Sequence, residues 1–133
     1  MSQENVEIVK EMFARFQTGD RTSWRNQMAE DAVWDTSATA MPGAGVQRGH
    51  AGVARFFIEW MGAWKNLSVD PLEFIEAGES VVSVFRWTGI GKTSGVPTQR
   101  DFFGVYDLRD GRISRYRQYE NRTEALEAAG LRE

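Results

Sequence analysis

Few side chains in this sequence can do chemistry, and one carboxylate stands apart from the others. Asp35 follows Trp34 in a short segment between two helical patterns. Apolar neighbours and a missing counter-charge there would raise its proton affinity into the range that a general base needs. The remaining acids belong to solvated positions: Asp107 and Asp110 flank a turn, while Glu4, Glu7 and Glu11 share the polar face of a helix. Adjacent side chains of an extended segment point to opposite faces, so Trp34 and Asp35 cannot both face the interior. A catalytic role requires Asp35 to point inward; the plainer alternative is a surface or loop-capping carboxylate.

Two further polar residues sit on strand patterns rich in apolar neighbours. Arg86 and Gln118 would have to be hydrogen-bonded if they faced inward, and either could then orient a ligand oxygen. Alternation puts Val84, Arg86 and Thr88 on one face and Phe85 with Trp87 on the other, and only one set is interior. An outward Arg86 in a cross-strand charge pair is the common alternative.

Other chemistries are excluded by composition. His50 is the only histidine, which rules out a two-histidine helical zinc motif and leaves any triad dependent on one ring, expected in the exposed first turn of a helix. The absence of cysteine removes disulfides, thiol nucleophiles, iron–sulfur clusters and most structural zinc sites, and makes a reducing cytoplasm the simplest location. There is no Gly-x-Ser-x-Gly element for a serine hydrolase. Gly91-Lys92-Thr93 ends like a phosphate-binding loop, but Arg86 occupies the position of its first glycine, and no helix follows to receive a phosphate. No metal and no cofactor is expected.

The elements that position these residues can be read from periodicity. Val6, Val9, Met12, Phe13 and Phe16 recur at helical spacing, and Gly19 closes that helix. Asp20 is then expected to cap a second, shorter helix carrying Trp24 and Met28. A short strand runs from Ala32 to Thr36, and Ser37 to Gly49, with Pro42, Gly43 and Gly45, reads as loop. Val53, Phe56, Phe57, Trp60, Met61 and Trp64 form the widest helical stripe. Strand alternation then occupies Leu67 to Ala77, Val81 to Gly91, Thr98 to Leu108 and Arg112 to Tyr119. Asp110-Gly111 marks a tight hairpin, and Asn121 to Glu124 resembles a capping box opening a helix that Gly130 ends.

Helices followed by a strand meander imply an α+β arrangement, with helices packed on one face of a curved antiparallel sheet. Phe16, Trp34, Phe57, Trp60 and Trp64 then converge with inward strand residues, and Tyr119 joins them from the last strand. So many rings interlock poorly, which favours a pocket for a small apolar molecule over a solid core. At 133 residues the chain suits one domain, residues 1–133. Its 16 basic and 19 acidic residues give a formal charge of -3, with no basic, aromatic-rich patch for nucleic acid. The acidic, amphipathic start is unlike a secretory signal, and the apolar runs are shorter than the roughly 20 residues that cross a bilayer, so no membrane partner is expected.

In their order along the chain, Phe16-Gln17-Thr18-Gly19-Asp20, Val33-Trp34-Asp35, Arg48-Gly49, Arg86-Trp87-Thr88-Gly89, Asp110-Gly111-Arg112-Ile113 and Glu124-Ala125-Leu126 resemble the SnoaL-like, polyketide cyclase-related group of the nuclear transport factor 2-like superfamily. The resemblance covers nearly the whole chain. It implies a cone-shaped fold around a deep pocket and a homodimer through the open face of the sheet, for which Trp87 and Tyr116 are candidate exposed aromatics. It also implies a range of roles, from isomerases, cyclases and epoxide hydrolases to proteins without catalysis. Asp35 matches the base of ketosteroid isomerases, whereas Met12 and Phe103 stand where those enzymes carry their oxyanion-hole donors. Arg86, Thr88 and Gln118 stand where epoxide hydrolases carry an arginine and two aspartates, and SnoaL-type cyclases have an aspartate where Gln118 stands. The expectation is therefore a cofactor-free pocket protein that binds an apolar cyclic ligand, with Asp35 as base in a proton transfer such as an isomerisation. The alternatives are a non-catalytic binding or dimerisation module and, more weakly, a peptide-binding transport factor.

Overall fold

The computed structural model describes residues 2–41 and 43–131; Pro42, part of the expected loop, lies outside the described residues. Helix α1 (Ser2–Gln17) buries Val6, Val9 and Phe13 along one stripe, as its period requires, and ends where Gly19 adopts a φ of 91°. Next come α2 (Trp24–Gln27), β1 (Met28–Asp35), β2 (Val46–Arg48) and α3 (Gly49–Gly62). Four long strands follow: β3 (Trp64–Ala77), β4 (Ser80–Gly91), β5 (Pro97–Arg109) and β6 (Arg112–Tyr119), then α4 (Arg122–Ala128). The architecture is the expected α+β one, a single six-stranded sheet in the order β2-β1-β6-β5-β4-β3.

Local signals are realised closely. Asp110 and Gly111 both take positive φ, 53° and 75°, which closes the β5–β6 hairpin. The Asn121 side chain accepts from the Glu124 amide at 2.8 Å and caps α4. Pro71 does not end β3; the strand passes it with a register shift between Pro71 and Glu73.

Several expectations are corrected. The sheet is not wholly antiparallel, because β1 pairs with β6 in parallel. Alternation sets the face of a strand but carries no direction, and this pair joins segments about 80 residues apart. The expected 37–49 loop contains β2, antiparallel to β1 through Val33↔Arg48 and Asp35↔Val46. Met28 belongs to β1, not to a helix, and Trp64 begins β3 after α3 has ended. Asp20 organises the turn ahead of α2 by accepting from the Thr22 and Ser23 amides at 3.0 and 2.9 Å, while Ser23 holds the cap position. His50 is half-buried, with Nε2 3.0 Å from the Met28 carbonyl oxygen and its ring edge-on to Trp24.

The sheet carries two cores. Helices α1 and α3 cover the concave face, where Phe13, Trp34, Val53, Phe56, Phe85, Trp87, Phe102, Tyr106 and Tyr116 pack together. On the convex face a smaller aliphatic cluster of Val82, Val105, Ala125 and Leu126 lies under α4.

Candidate functional site

Which face each strand residue occupies follows from the pairing. Ser83, Gly104 and Gln118 lie opposite one another across β4, β5 and β6, so they share one face with Phe85, Phe102, Tyr106 and Tyr116, two residues away along their strands. That face is the concave one. Large rings covering it from α2, α3 and β1 meet one another and the sheet mostly at steep angles: Trp34 and Phe57 at 87°, Trp24 and Phe57 at 82°, and Trp60 and Trp87 at 86°. Edge-to-face packing of planar groups leaves interstices that aliphatic side chains would fill. Here it leaves a cavity of about 110 Å³.

The cavity wall is overwhelmingly apolar. Of the candidate ligand contacts, Phe16, Trp34, Phe57, Trp60 and Gln118 line it. Trp24, Met41, Phe85, Trp87, Tyr106 and Tyr116 also line it and were not assigned to it from sequence. For Phe85, Trp87 and Tyr106 the signal is the two-residue period Phe102-x-Gly104-x-Tyr106 and the Phe85/Trp87 set, which marks the ring-bearing face as the interior one. Trp87 and Tyr116, expected as exposed aromatics at a dimer face, are 3% and 1% exposed.

One polar chain crosses this apolar volume. The Ser83 hydroxyl donates to the Tyr106 hydroxyl at 3.0 Å, and the Tyr116 hydroxyl donates to Gln118 Oε1 at 2.6 Å. Gln118 Nε2 lies 3.5 Å from Met41 Sδ. A thioether sulfur can only accept, so the amide nitrogen must face Met41 and its oxygen must face Tyr116. Burial pushes both phenols well above the ordinary tyrosine range, and the neighbouring Tyr106 raises Tyr116 further, so both stay protonated. The tyrosines fit because position 104 is glycine: a Cβ there would lie 2.5 Å from Tyr116 Cε1 and 3.1 Å from each hydroxyl.

At the mouth stand Arg15, Asp20 and Arg21. Hydrogen bonds from the Ser23 side chain and from the Ser23 and Thr22 amides hold the Asp20 carboxyl down at about 2, which makes it a weak base. Among the described residues no set of three His, Asp or Glu side chains gathers to hold a metal ion, and no helix is long and apolar enough to cross a membrane.

Four expected site residues lie elsewhere. Asp35 is outside the cavity lining; Trp34 takes the inward position, and strand alternation turns its neighbour to the other face. The Asp35 carboxylate instead accepts from the Ser37 amide at 2.9 Å and hydroxyl at 2.5 Å, closing a local turn. Arg86 is also on the outer face, in a two-bond ion pair with Asp101 at 2.7 and 3.0 Å, which holds the Asp101 carboxyl below its usual range. Tyr119 packs against the convex cluster, and so does Phe103. Trp64, at the start of β3, contacts Trp87 with ring centroids 4.6 Å apart, behind the cavity wall.

A SnoaL-like domain model matches residues 9–116. No curated protein matches the sequence. Among solved structures, a nuclear transport factor 2-like protein from Burkholderia xenovorans LB400 is 31% identical, with 97% of each chain covered and a TM-score of 0.74. A second protein of that fold and unknown function, from Burkholderia pseudomallei K96243, is 21% identical over 93% of this chain and 95% of its own, with a TM-score of 0.77. TerC, co-crystallised with polyporic acid, is 24% identical over 96% of this chain and 98% of its own, also with a TM-score of 0.77.

Proposed function

The chain belongs to the SnoaL-like domain family, and from that premise we propose that it binds a small, apolar cyclic molecule between α1, α3 and the concave face of the sheet. The observation that carries this reading is an aromatic chamber of about 110 Å³ with one polar group of defined orientation inside it. Apolar walls supply affinity in proportion to the area they remove from water, while a single amide supplies orientation. With Oε1 committed to Tyr116 and one N–H directed at the weak acceptor Met41 Sδ, the second N–H of Gln118 is available to an oxygen on the ligand. Co-crystallisation of TerC with polyporic acid supports a search among organic ligands for this fold.

Proton transfer is the weaker reading for this chain. Asp35, the candidate base, is engaged with Ser37 outside the cavity, Asp20 is too acidic, and the two tyrosines inside hold their protons. That geometry supports a ligand-binding role without Asp35 chemistry.

Titration with acetophenone, followed by quenching of the tryptophans in the wall, tests the proposal. Saturable quenching is expected in the parent, with affinity about tenfold weaker in Gln118→Leu, where the donor to the ketone oxygen is gone. Absence of saturable binding by the parent, or equal affinity of both proteins, would sink the reading.

A further inference from the structure

The mouth of the cavity says what kind of molecule fits it. Two of its three charged residues are engaged locally. Arg15 donates to Glu11 from Nε at 3.1 Å and from Nη2 at 2.6 Å. Asp20 accepts from the amides of its own turn and remains ionised there. Arg21 differs. Its Nη1 donates to the Phe16 carbonyl at 2.5 Å, and its guanidinium lies over the Phe16 ring, 4.0 Å from the centroid. Among the described residues it has no carboxylate partner. A guanidinium stacked on a ring and pinned at one corner keeps its other N–H donors together in a fixed plane. Phe16 is itself cavity wall, so this cation stands beside the exit from the chamber.

Inside, the available groups are uncharged donors. Gln118 offers an N–H, and Trp87 Nε1 is buried without an acceptor. The deep wall contains no cation, so a full negative charge would be unpaired there and is favoured only at the mouth. Size narrows the body of the ligand: apolar cavities of about 150 Å³ take up benzene. A chamber of about 110 Å³ that opens to the surface suits one ring with a short arm reaching outward.

We propose that the cavity is built for a monocyclic organic acid, its ring among the aromatic walls and its carboxylate held at the mouth by Arg21, which acts as the specificity-determining residue. This rests on the reading of the cavity as a ligand site.

The test compares 3-phenylpropanoate with 3-phenylpropan-1-ol at neutral pH, by calorimetry, on the parent protein and on Arg21→Gln and Arg21→Lys. The acid should bind about tenfold more tightly than the alcohol, because only a carboxylate brings an opposite charge and a second oxygen to the guanidinium. Arg21→Gln should remove that advantage and cost the alcohol less than the acid, and Arg21→Lys should keep part of it. Raising salt from about 50 to about 500 mM should weaken the acid alone. Equal affinity of the two compounds for the parent, or an equal loss of both in Arg21→Gln, overturns the clamp and leaves the ligand site standing. Failure of both compounds to bind the parent overturns the ligand site itself, and the clamp with it.

Discussion

The two faces of one sheet solve the packing problem in opposite ways. On the convex side, Val82 and Val105 meet Ala125 and Leu126 of α4, small aliphatic side chains that close together, with Phe103 and Tyr119 packed around them. On the concave side the covering elements carry indoles and phenyl rings, which meet edge to face and leave a chamber. The same strands serve both faces, so the difference lies in side-chain shape and not in backbone geometry. The filled face has adaptable aliphatics at its centre; the hollow one has rigid rings on both sides of the gap.

The sharpest way to break this contrast is to crowd the hollow face at its tightest point. Gly104 gives the two tyrosines room to lie against β5, since an added Cβ would sit 2.5 Å from Tyr116 Cε1. Gly104→Ala should destabilise by about 3 kcal/mol, as overpacking that cannot relax does, and outweigh any loss of unfolded-chain entropy. Urea unfolding measures it. A parent-like midpoint would mean that the rings have slack, and that the chamber is loosely packed space and not a defined site.

The next test compares the faces directly. Leu126→Ala removes volume from a filled cluster and should cost about 3 kcal/mol, because the surroundings cannot collapse onto the gap. Trp60→Leu trims a half-buried ring that already borders empty space, and should cost about 1 kcal/mol while enlarging the cavity. Similar losses from the two substitutions, measured by the same unfolding curves, would show that the faces do not differ in how they are packed.

Much of this arrangement is legible in the residues themselves. Period 3.6 reveals α1 and α3, period two reveals the long strands, and Asp110-Gly111 and Asn121 mark their own turn and cap, because each signal is local. The parallel β1–β6 pair and the short β2 are not legible in this way, since they depend on segments far apart in sequence. For the site, alternation divides every strand into two sets without saying which is inward. The candidates Arg86 and Tyr119 lie on the outer face, and it is their neighbours Phe85, Trp87 and Gln118 that carry the bulk and the bonding that the interior needs. Gly104, between Phe102 and Tyr106, is the residue in the sequence that signals a close approach.

Position 35 gives the smallest expected effect and bears most directly on function. Trp34 stacks on Tyr116 with ring centroids 3.9 Å apart, and that contact commits β1 to a register in which residue 35 leaves the cavity. Rotating the acid inward would expel the indole from the wall, a far larger loss than any gain from one carboxylate in an apolar chamber. Asp35→Asn keeps an acceptor for the Ser37 amide and hydroxyl. It should therefore change stability by less than about 0.5 kcal/mol, as exposed polar exchanges do, and leave acetophenone affinity unchanged. If acetophenone affinity fell tenfold while the fold held, the carboxylate would have to reach the chamber, and the separation of the two faces at β1 would be wrong.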